Sequence, residues 1–462
     1  MATNIEKLII SHNKDAQNRK MVAFYDRKST MEKMGIARSE TAHSAFLANL
    51  LKSDNGLGLE ESAIMWLLHI LIEREDNATA YSTSPIPTDV KAAVLSQTLK
   101  YDIEEITTEK VIDDVAPSYF ATHYNNQKCD DRLDIYIKLK VNGLSVKYLE
   151  IVIENKVLQD ENGPKSKNSS GYDSLFQTQR YYTACSYNKS SVTAQLFVFL
   201  TPDEVEEETK AKDKHFIQIS YQDVLDTIII PQLDNNMLTS NERQELENYV
   251  DALNLPTLDI QAKKRIVMAM TKEARTDKQT YLKKNKELII NVIKAKEKEA
   301  SNSSSLTQEE QILVSFADKR KNLFAALGMD FDSIKPTYYF VFITDGATYR
   351  IAHLCTADVA VNFAKLYYKY NSGSSIGQLN NDFANVKPNI FSVCNVQKNN
   401  TNSALYVKIA DYVYFPKNIW SGKNIGDGKE NYFSKLLTMI NNTNNVGSPV
   451  KPCVYPKIID SL

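Results

Sequence analysis

Two stretches of strict two-residue alternation constrain this chain most. Leu133, Ile135, Ile137 and Leu139 alternate with Asp134, Tyr136 and Lys138, and beyond Asn142-Gly143 the residues Leu149, Ile151 and Ile153 alternate with Glu150, Val152, Glu154 and Lys156. A period of two places successive side chains on opposite faces of a strand, and Asn-Gly tolerates the positive φ of a tight turn, so the two stretches read as an antiparallel hairpin. Gln195 to Leu200 is consecutively apolar, as a strand buried on both faces should be, and Phe216 to Ile219 reads as a further short strand. Helices are expected over Ser174 to Tyr187, after the polar loop Gly163 to Gly171, and through Val224, Leu225 and Ile228. Strand, strand, helix, strand, helix is the order of a mixed sheet with helices packed on it, an α/β (α+β) fold.

The flanking regions follow a different period. Ala45, Phe46, Leu47, Leu50 and Leu51 form one helical face, Ile64 to Ile72 forms a second, and the pattern recurs weakly over Lys91 to Leu99. Ser240 to Lys298 reads as helical, Ala300 to Gln308 has linker composition, and Thr337 to Thr344 with Ala347 to Leu354 forms a second hairpin about Asp345-Gly346. The expected organisation is a helical part over 1–100, a sheet core over 101–255, a basic helical segment and linker over 256–305, and a separate α+β domain over 306–462.

The 462 residues carry 55 Lys and Arg against 57 Asp and Glu, with 43% hydrophobic residues, which excludes wholesale disorder and a chain that coats polyanions indiscriminately. Five widely spaced cysteines without a CxxC pair exclude a disulfide scaffold and point to a reduced, cytoplasmic setting. No apolar leader is evident at the N-terminus, and the longest apolar run, Ala63 to Ile72, is about half a membrane span, so a soluble protein without membrane contact is expected. Charge is nonetheless uneven. Gln261 to Lys298 holds 12 Lys and Arg against 4 Asp and Glu, while Thr201 to Asp213 is acidic. The basic stretch is either a phosphate-contacting surface or a solvated helix face.

The hairpin also carries the chemistry. Glu154 and Lys156, at i and i+2, emerge on one face of their strand, and Asp134 on the neighbouring strand brings a second carboxylate to that face. Two carboxylates with water suit a hard divalent cation such as Mg²⁺, which polarises a phosphate and lowers the pKa of bound water, and an adjacent lysine can orient that water or stabilise developing negative charge. An alternating strand gives ExK by chance on any solvated face. The strand Tyr148 to Val157 is too apolar for open water, however, so its charges are expected to line a cleft, where they are costly unless paired or metal-bound.

Asp131-Arg132-Leu133-Asp134, then Glu154-Asn155-Lys156, then Gln177-Thr178-Gln179-Arg180-Tyr181 resembles the PD-(D/E)XK nuclease superfamily. The order DRxD, ExK, QxxxY is similar to its RecB-like nuclease domains, and Gly35 to Leu51 with Phe216 to Asp226 resembles one bacterial branch with helices before the core. The resemblance covers about Gly35 to Leu253. It implies a restriction-endonuclease-like core, Mg²⁺ (Mn²⁺ as a substitute) held by Asp134 and Glu154 with the Asn155 carbonyl as a further ligand, and Lys156 as the catalytic lysine. Glu40 occupies the place of a first-helix acid that completes the metal site in some relatives, or is an exposed helix residue. Gln177 and Tyr181, one helical turn apart, would border the site and touch DNA. Leu133 stands where the superfamily's name has proline, and Lys128 where the RecB-like pattern usually has glycine. No P-loop is present, so an ATP-driven partner would be another chain.

Arg132 and Arg180 are candidates for phosphate binding or for pairing with neighbouring acids, and His43 for ligation or for helix packing. Tyr338, Tyr339, Tyr349, Tyr367, Tyr368 and Tyr370 could stack on bases or belong to a core. The glycines from Gly422 to Gly428 follow no strand, which argues against a nucleotide loop. The reading is a Mg²⁺-dependent nuclease acting on DNA, in defence or in repair; the alternative is a catalytically silent nucleic-acid- or protein-binding module on the same fold. A homodimer and a partner protein docked on the C-terminal domain are further candidates.

Overall fold

The computed structural model describes residues 3–331 other than 53–56, 58–61, 126–128, 158–160, 166–170, 203–209, 235–237, 260–263 and 302–305, and beyond residue 331 chiefly the backbone of short strands. Two compact units divide the chain: Ala16–Tyr281 with Asn322–Leu327, and Met1–Asp15 with Leu282–Lys321 and Gly328–Leu462.

The first unit is built on a five-stranded sheet in the order β1 (Tyr101–Val111), β2 (Arg132–Val141), β3 (Tyr148–Asn155), β4 (Thr193–Thr201) and β5 (Phe216–Ser220). β1, β2 and β3 pair antiparallel, whereas β3, β4 and β5 are parallel. The hairpin turns where the Asn-Gly dipeptide stands, with Gly143 at φ +76°. The loop runs on until Val141 N–H donates to the Lys147 carbonyl at 2.9 Å, which is longer than a two-residue turn. Parallel pairing of β3 with β4 demands a crossover, and residues 156–192 supply it.

Alternation sorts the sheet into two apolar faces. Ile135, Ile137, Ile151, Ile153, Val198 and Ile219 pack with helices α1 (Glu40–Leu50) and α2 (Ser62–Arg74). Tyr136, Val152, Phe197 and Phe199 pack on the other face, against Tyr119 and Phe120 of α3 (Pro117–Tyr124) and Tyr181 of α4 (Gln177–Cys185). A sheet covered on both sides explains the uninterrupted apolar run of β4, and each fully buried Ile, Leu or Phe contributes about 1.5–3 kcal/mol relative to exposure.

Helix ends follow local chemistry. Ser39 caps α1 by accepting from Ala42 N–H at 3.1 Å. The crossover helix begins at Gln177, later than the periodicity suggests, because the buried Glu161 carboxylate accepts from Thr178 N–H at 2.6 Å and from its hydroxyl at 2.7 Å, fixing the start there. The helix through Val224 to Ile228 widens into a π turn over Leu225–Ile229 just before Pro231, whose missing N–H breaks the regular ladder.

The expectation of continuous helix from Ser240 to Lys298 is corrected. α5 (Ser240–Asn254) stops before Leu255-Pro256, with Leu255 at φ −89°, ψ 135°, the extended conformation that a following proline favours. An antiparallel pair then intervenes, β6 (Thr257–Asp259) with β7 (Lys264–Ile266), followed by α6 (Lys272–Lys284) and α7 (Lys286–Ser301). The spacing of apolar residues favours helix there, but the proline decides it.

In the second unit, Lys296 of α7 is paired with Asp318 at 3.0 Å and Lys298 with Glu310 at 2.7 Å, while Lys284 meets Asp15 at 2.5 Å. In the first unit Arg275 binds Asp226 at 3.1 Å. Part of the basic stretch is thus neutralised within its own unit. The second hairpin forms as expected, with Phe342 opposite Tyr349, and Val446–Pro452 adds a third strand. The acidic run 203–208, the Asp345-Gly346 turn, Tyr367, Tyr368, Tyr370 and the glycines from Gly422 to Gly428 lie outside the described residues.

Candidate active site

The site forms at the open end of the first hairpin, where β2 begins and β3 ends. Ile135 faces Ile153 in the ladder, so the next rung sets Asp134 against Glu154 on the face shared with Tyr136 and Val152. Asn155 N–H donates to Asp134 Oδ2 at 2.7 Å. Lys156 N–H donates to the Leu200 carbonyl at 2.9 Å, which ties the end of β3 to β4. Its ammonium lies 2.5 Å from Glu154 Oε1 and 3.4 Å from Glu40 Oε2.

Glu40 reaches the site because α1 is anchored to the end of β3. The Asn155 amide donates to Ser44 Oγ at 3.0 Å and to the Glu40 carbonyl at 3.3 Å, and Tyr221 donates its hydroxyl to Asn155 Oδ1 at 2.8 Å. Glu40 and Ser44, four residues apart, share a helix face. Val157 N–H donates to Glu40 Oε1 at 3.2 Å, completing the clasp. The Asn155 side chain is therefore committed to structure, and its backbone carbonyl is what remains as an oxygen donor.

Three carboxylates thus converge on one ammonium. Burial raises the Asp134 carboxyl to about 6, a rise that Lys156 and the Asn155 N–H oppose and that Glu40 reinforces. Glu154, wholly buried, is pushed well above the ordinary carboxylate range by burial and then by the like charge of Asp134. Burial works against the charge of Lys156, but Glu154, Glu40 and Asp134 outweigh it and hold the ammonium above its usual pKa. Glu154 Oε2 is buried without a hydrogen-bond partner among the described residues, and Oε1 has the ammonium beside it.

A cluster with more carboxylates than cations, an orphaned buried oxygen and hard donors suits a divalent ion. Among the described residues no three acidic, histidine or cysteine side chains stand close enough to form a ready-made metal cage.

The other sequence candidates fall in different places. Gln177 donates to the Tyr181 hydroxyl at 2.8 Å, and that hydroxyl donates to the Arg132 carbonyl at 2.5 Å. Tyr181 is 1% exposed, so it braces the start of β2 from within and offers no surface to DNA. Gln177 is buried beside it, its Oε1 without a partner among the described residues. Arg180 is buried and bonds Asp131 Oδ2 at 2.8 Å, which also accepts from the Tyr172 hydroxyl at 2.9 Å. It is an internal ion pair. Arg132 is exposed at the start of β2. His43 is fully buried with Nδ1 on the Tyr249 hydroxyl at 3.1 Å and Nε2 on the Ala37 carbonyl at 3.2 Å. Both ring nitrogens are used, so the ligand reading falls and the packing reading holds.

Ser44 and Tyr221 hold the site through Asn155, and Asp131 anchors Tyr172 and Arg180; spacing marks none of these roles, although all three stand in segments that carry the resemblance. Comparisons with curated proteins and with solved structures gave no match. A family model described as the PD-(D/E)XK nuclease superfamily matches residues 30–318, a span that takes in α1, the whole sheet and every residue of the cluster, and the chain belongs to that superfamily.

Proposed function

We propose that this protein is a Mg²⁺-dependent nuclease that hydrolyses phosphodiester bonds of DNA, with Mn²⁺ as a substitute. The observation that carries the reading is the buried Glu154 carboxylate, one oxygen orphaned and the other against Lys156, beside the partly buried Asp134. Asp134, Glu154 and the Asn155 carbonyl would hold the ion, with Glu40 joining from α1. Bound there, Mg²⁺ supplies Lewis-acid polarisation of a phosphate and a water of lowered pKa.

The chain's own residues do the rest. Lys156 directs an ammonium at the phosphate, where it orients the attacking water and stabilises charge that develops on the phosphoryl oxygens. A cation held by the carboxylates would loosen the pairing of Lys156 with Glu154. Asn155 fixes Asp134 through its N–H and α1 through its amide, so both sides of the cluster are held by one residue. Arg132, exposed at the start of β2, would meet the phosphate backbone.

The test compares wild type with Lys156→Ala on linear, circular and single-stranded DNA, with Mg²⁺, Mn²⁺ or EDTA. Metal-dependent cleavage that is lost in the variant supports the reading. Undiminished turnover by Lys156→Ala sinks it, and binding of DNA without cleavage by wild type assigns the chain to the silent binding class.

A further inference from the structure

β1 brings a residue to the site that no motif marks. Thr108 faces Ile135 and Lys110 faces Leu133, so Glu109 stands level with Asp134, which in turn stands level with Glu154. Three acidic residues therefore form one row across three neighbouring strands, at the roughly 4.8 Å spacing of adjacent strands.

Glu109 sits at φ +53° near the end of β1. This is the left-handed region, which a glutamate has no intrinsic reason to occupy and which asparagine or glycine adopts more readily. The alternation breaks there: Lys110 bonds Glu105 at 2.7 Å although an odd separation of five residues should put them on opposite faces. Backbone held in such a conformation beside a charged cluster marks a position that the surroundings over-determine. Glu109 is half-buried and makes no hydrogen bond or ion pair among the described residues, and its charge bears on Asp134. The wholly buried Glu154 Oε2 in the same row, without a hydrogen-bond partner among the described residues, points independently to cation binding.

We propose that Glu109 is a further carboxylate of the divalent-cation site, closing the row from the β1 side. The proposal rests on the nuclease reading and extends it: the site draws on a strand outside the hairpin, and the strained backbone keeps the carboxylate level with Asp134.

The experiment titrates the full-length protein with Mn²⁺ by calorimetry and by electron paramagnetic resonance, for wild type, Glu109→Gln and Glu109→Asn. Both variants are expected to bind Mn²⁺ about ten-fold more weakly or worse, or to lose one ion of the stoichiometry. Glu109→Asn should at the same time melt higher than wild type, since asparagine suits the positive φ, and this opposition of stability and affinity is not what a purely structural role would give. Unchanged Mn²⁺ affinity and stoichiometry in both variants would overturn the proposal while leaving the nuclease reading in place if wild type still cleaves. Loss of folding in both variants would assign Glu109 to the scaffold and overturn it too. Wild type without saturable Mn²⁺ binding would overturn both readings together.

Discussion

Asn155 holds Asp134 with its backbone N–H at 2.7 Å while its side chain bonds Ser44, the Glu40 carbonyl and Tyr221. The residue between the two ExK charges is thus the joint between sheet and helix. Asn155→Ala strands the buried Tyr221 hydroxyl and Ser44, so it is expected to lower stability by about 1–3 kcal/mol and to release Glu40 from the site. Urea unfolding measures the first effect. Cleavage kinetics measure the second, as a fall in kcat larger than any loss of DNA affinity; an unchanged kcat in Asn155→Ala would remove the joint from the argument.

The hairpin was legible because its signal is local. Alternation from Leu133 to Leu139 and from Leu149 to Ile153 fixes which side chains share a face, so the meeting of Asp134, Glu154 and Lys156 followed from the sequence with little else assumed. The roles of Ser44, Tyr221 and Glu109 were not legible, since they depend on register between segments far apart in the chain. Tyr181 shows the same limit: its spacing from Gln177 gives the shared face, but that its hydroxyl ends on the Arg132 carbonyl, and not on a substrate, needs the fold. The break at Leu255-Pro256 was present in the sequence, and apolar periodicity on either side of it obscured a proline that should have outweighed it.

Asp134 illustrates a trade of stability for chemistry. Its carboxyl is raised from 3.8 to about 6, so the folded state binds more protons than the unfolded state between these values and stability falls as pH rises through that window. Above pH 7, without metal, the strain amounts to up to about 3 kcal/mol. Asp134→Asn is therefore expected to be more stable than wild type at pH 8, with the gap closing below pH 4, and to be inactive in cleavage. Divalent ions should raise the melting temperature of wild type and leave Asp134→Asn nearly unmoved. Thermal melts with and without Mg²⁺ at the two pH values check both statements.

His43 gives the opposite pH dependence. Burial lowers its pKa from 6.5 to about 4, so the unfolded state binds the extra proton between these values, and stability is lost as pH falls through the window. The loss reaches up to about 3 kcal/mol at pH 4. Burial is the main cause and the charge of Arg38 adds to it, while the Ala37 carbonyl beside Nε2 favours the protonated ring but is outweighed. His43→Gln, which keeps an acceptor and a donor but cannot titrate, is expected to lose less stability than wild type between pH 7 and pH 4.5. Urea midpoints at the two pH values decide it; equal losses would mean that another group carries the acid sensitivity.

The two arginines of the motifs should separate cleanly. Arg180 is buried on Asp131, so Arg180→Ala leaves a partly buried carboxylate with Tyr172 and Lys165 as its remaining partners and is expected to cost about 3 kcal/mol of stability. Arg132 is exposed, and Arg132→Ala should change stability by less than about 0.5 kcal/mol. If Arg132 meets the phosphate backbone, its loss weakens DNA binding to all sequences alike and lowers the slope of log affinity against log salt by about one. Arg180→Ala, in the fraction that remains folded, should keep the wild-type slope. DNA titrations across a salt series with each variant, set beside urea unfolding, test the pair. A reduced slope in Arg180→Ala with unaltered stability would reverse the assignment and place the phosphate contact on α4.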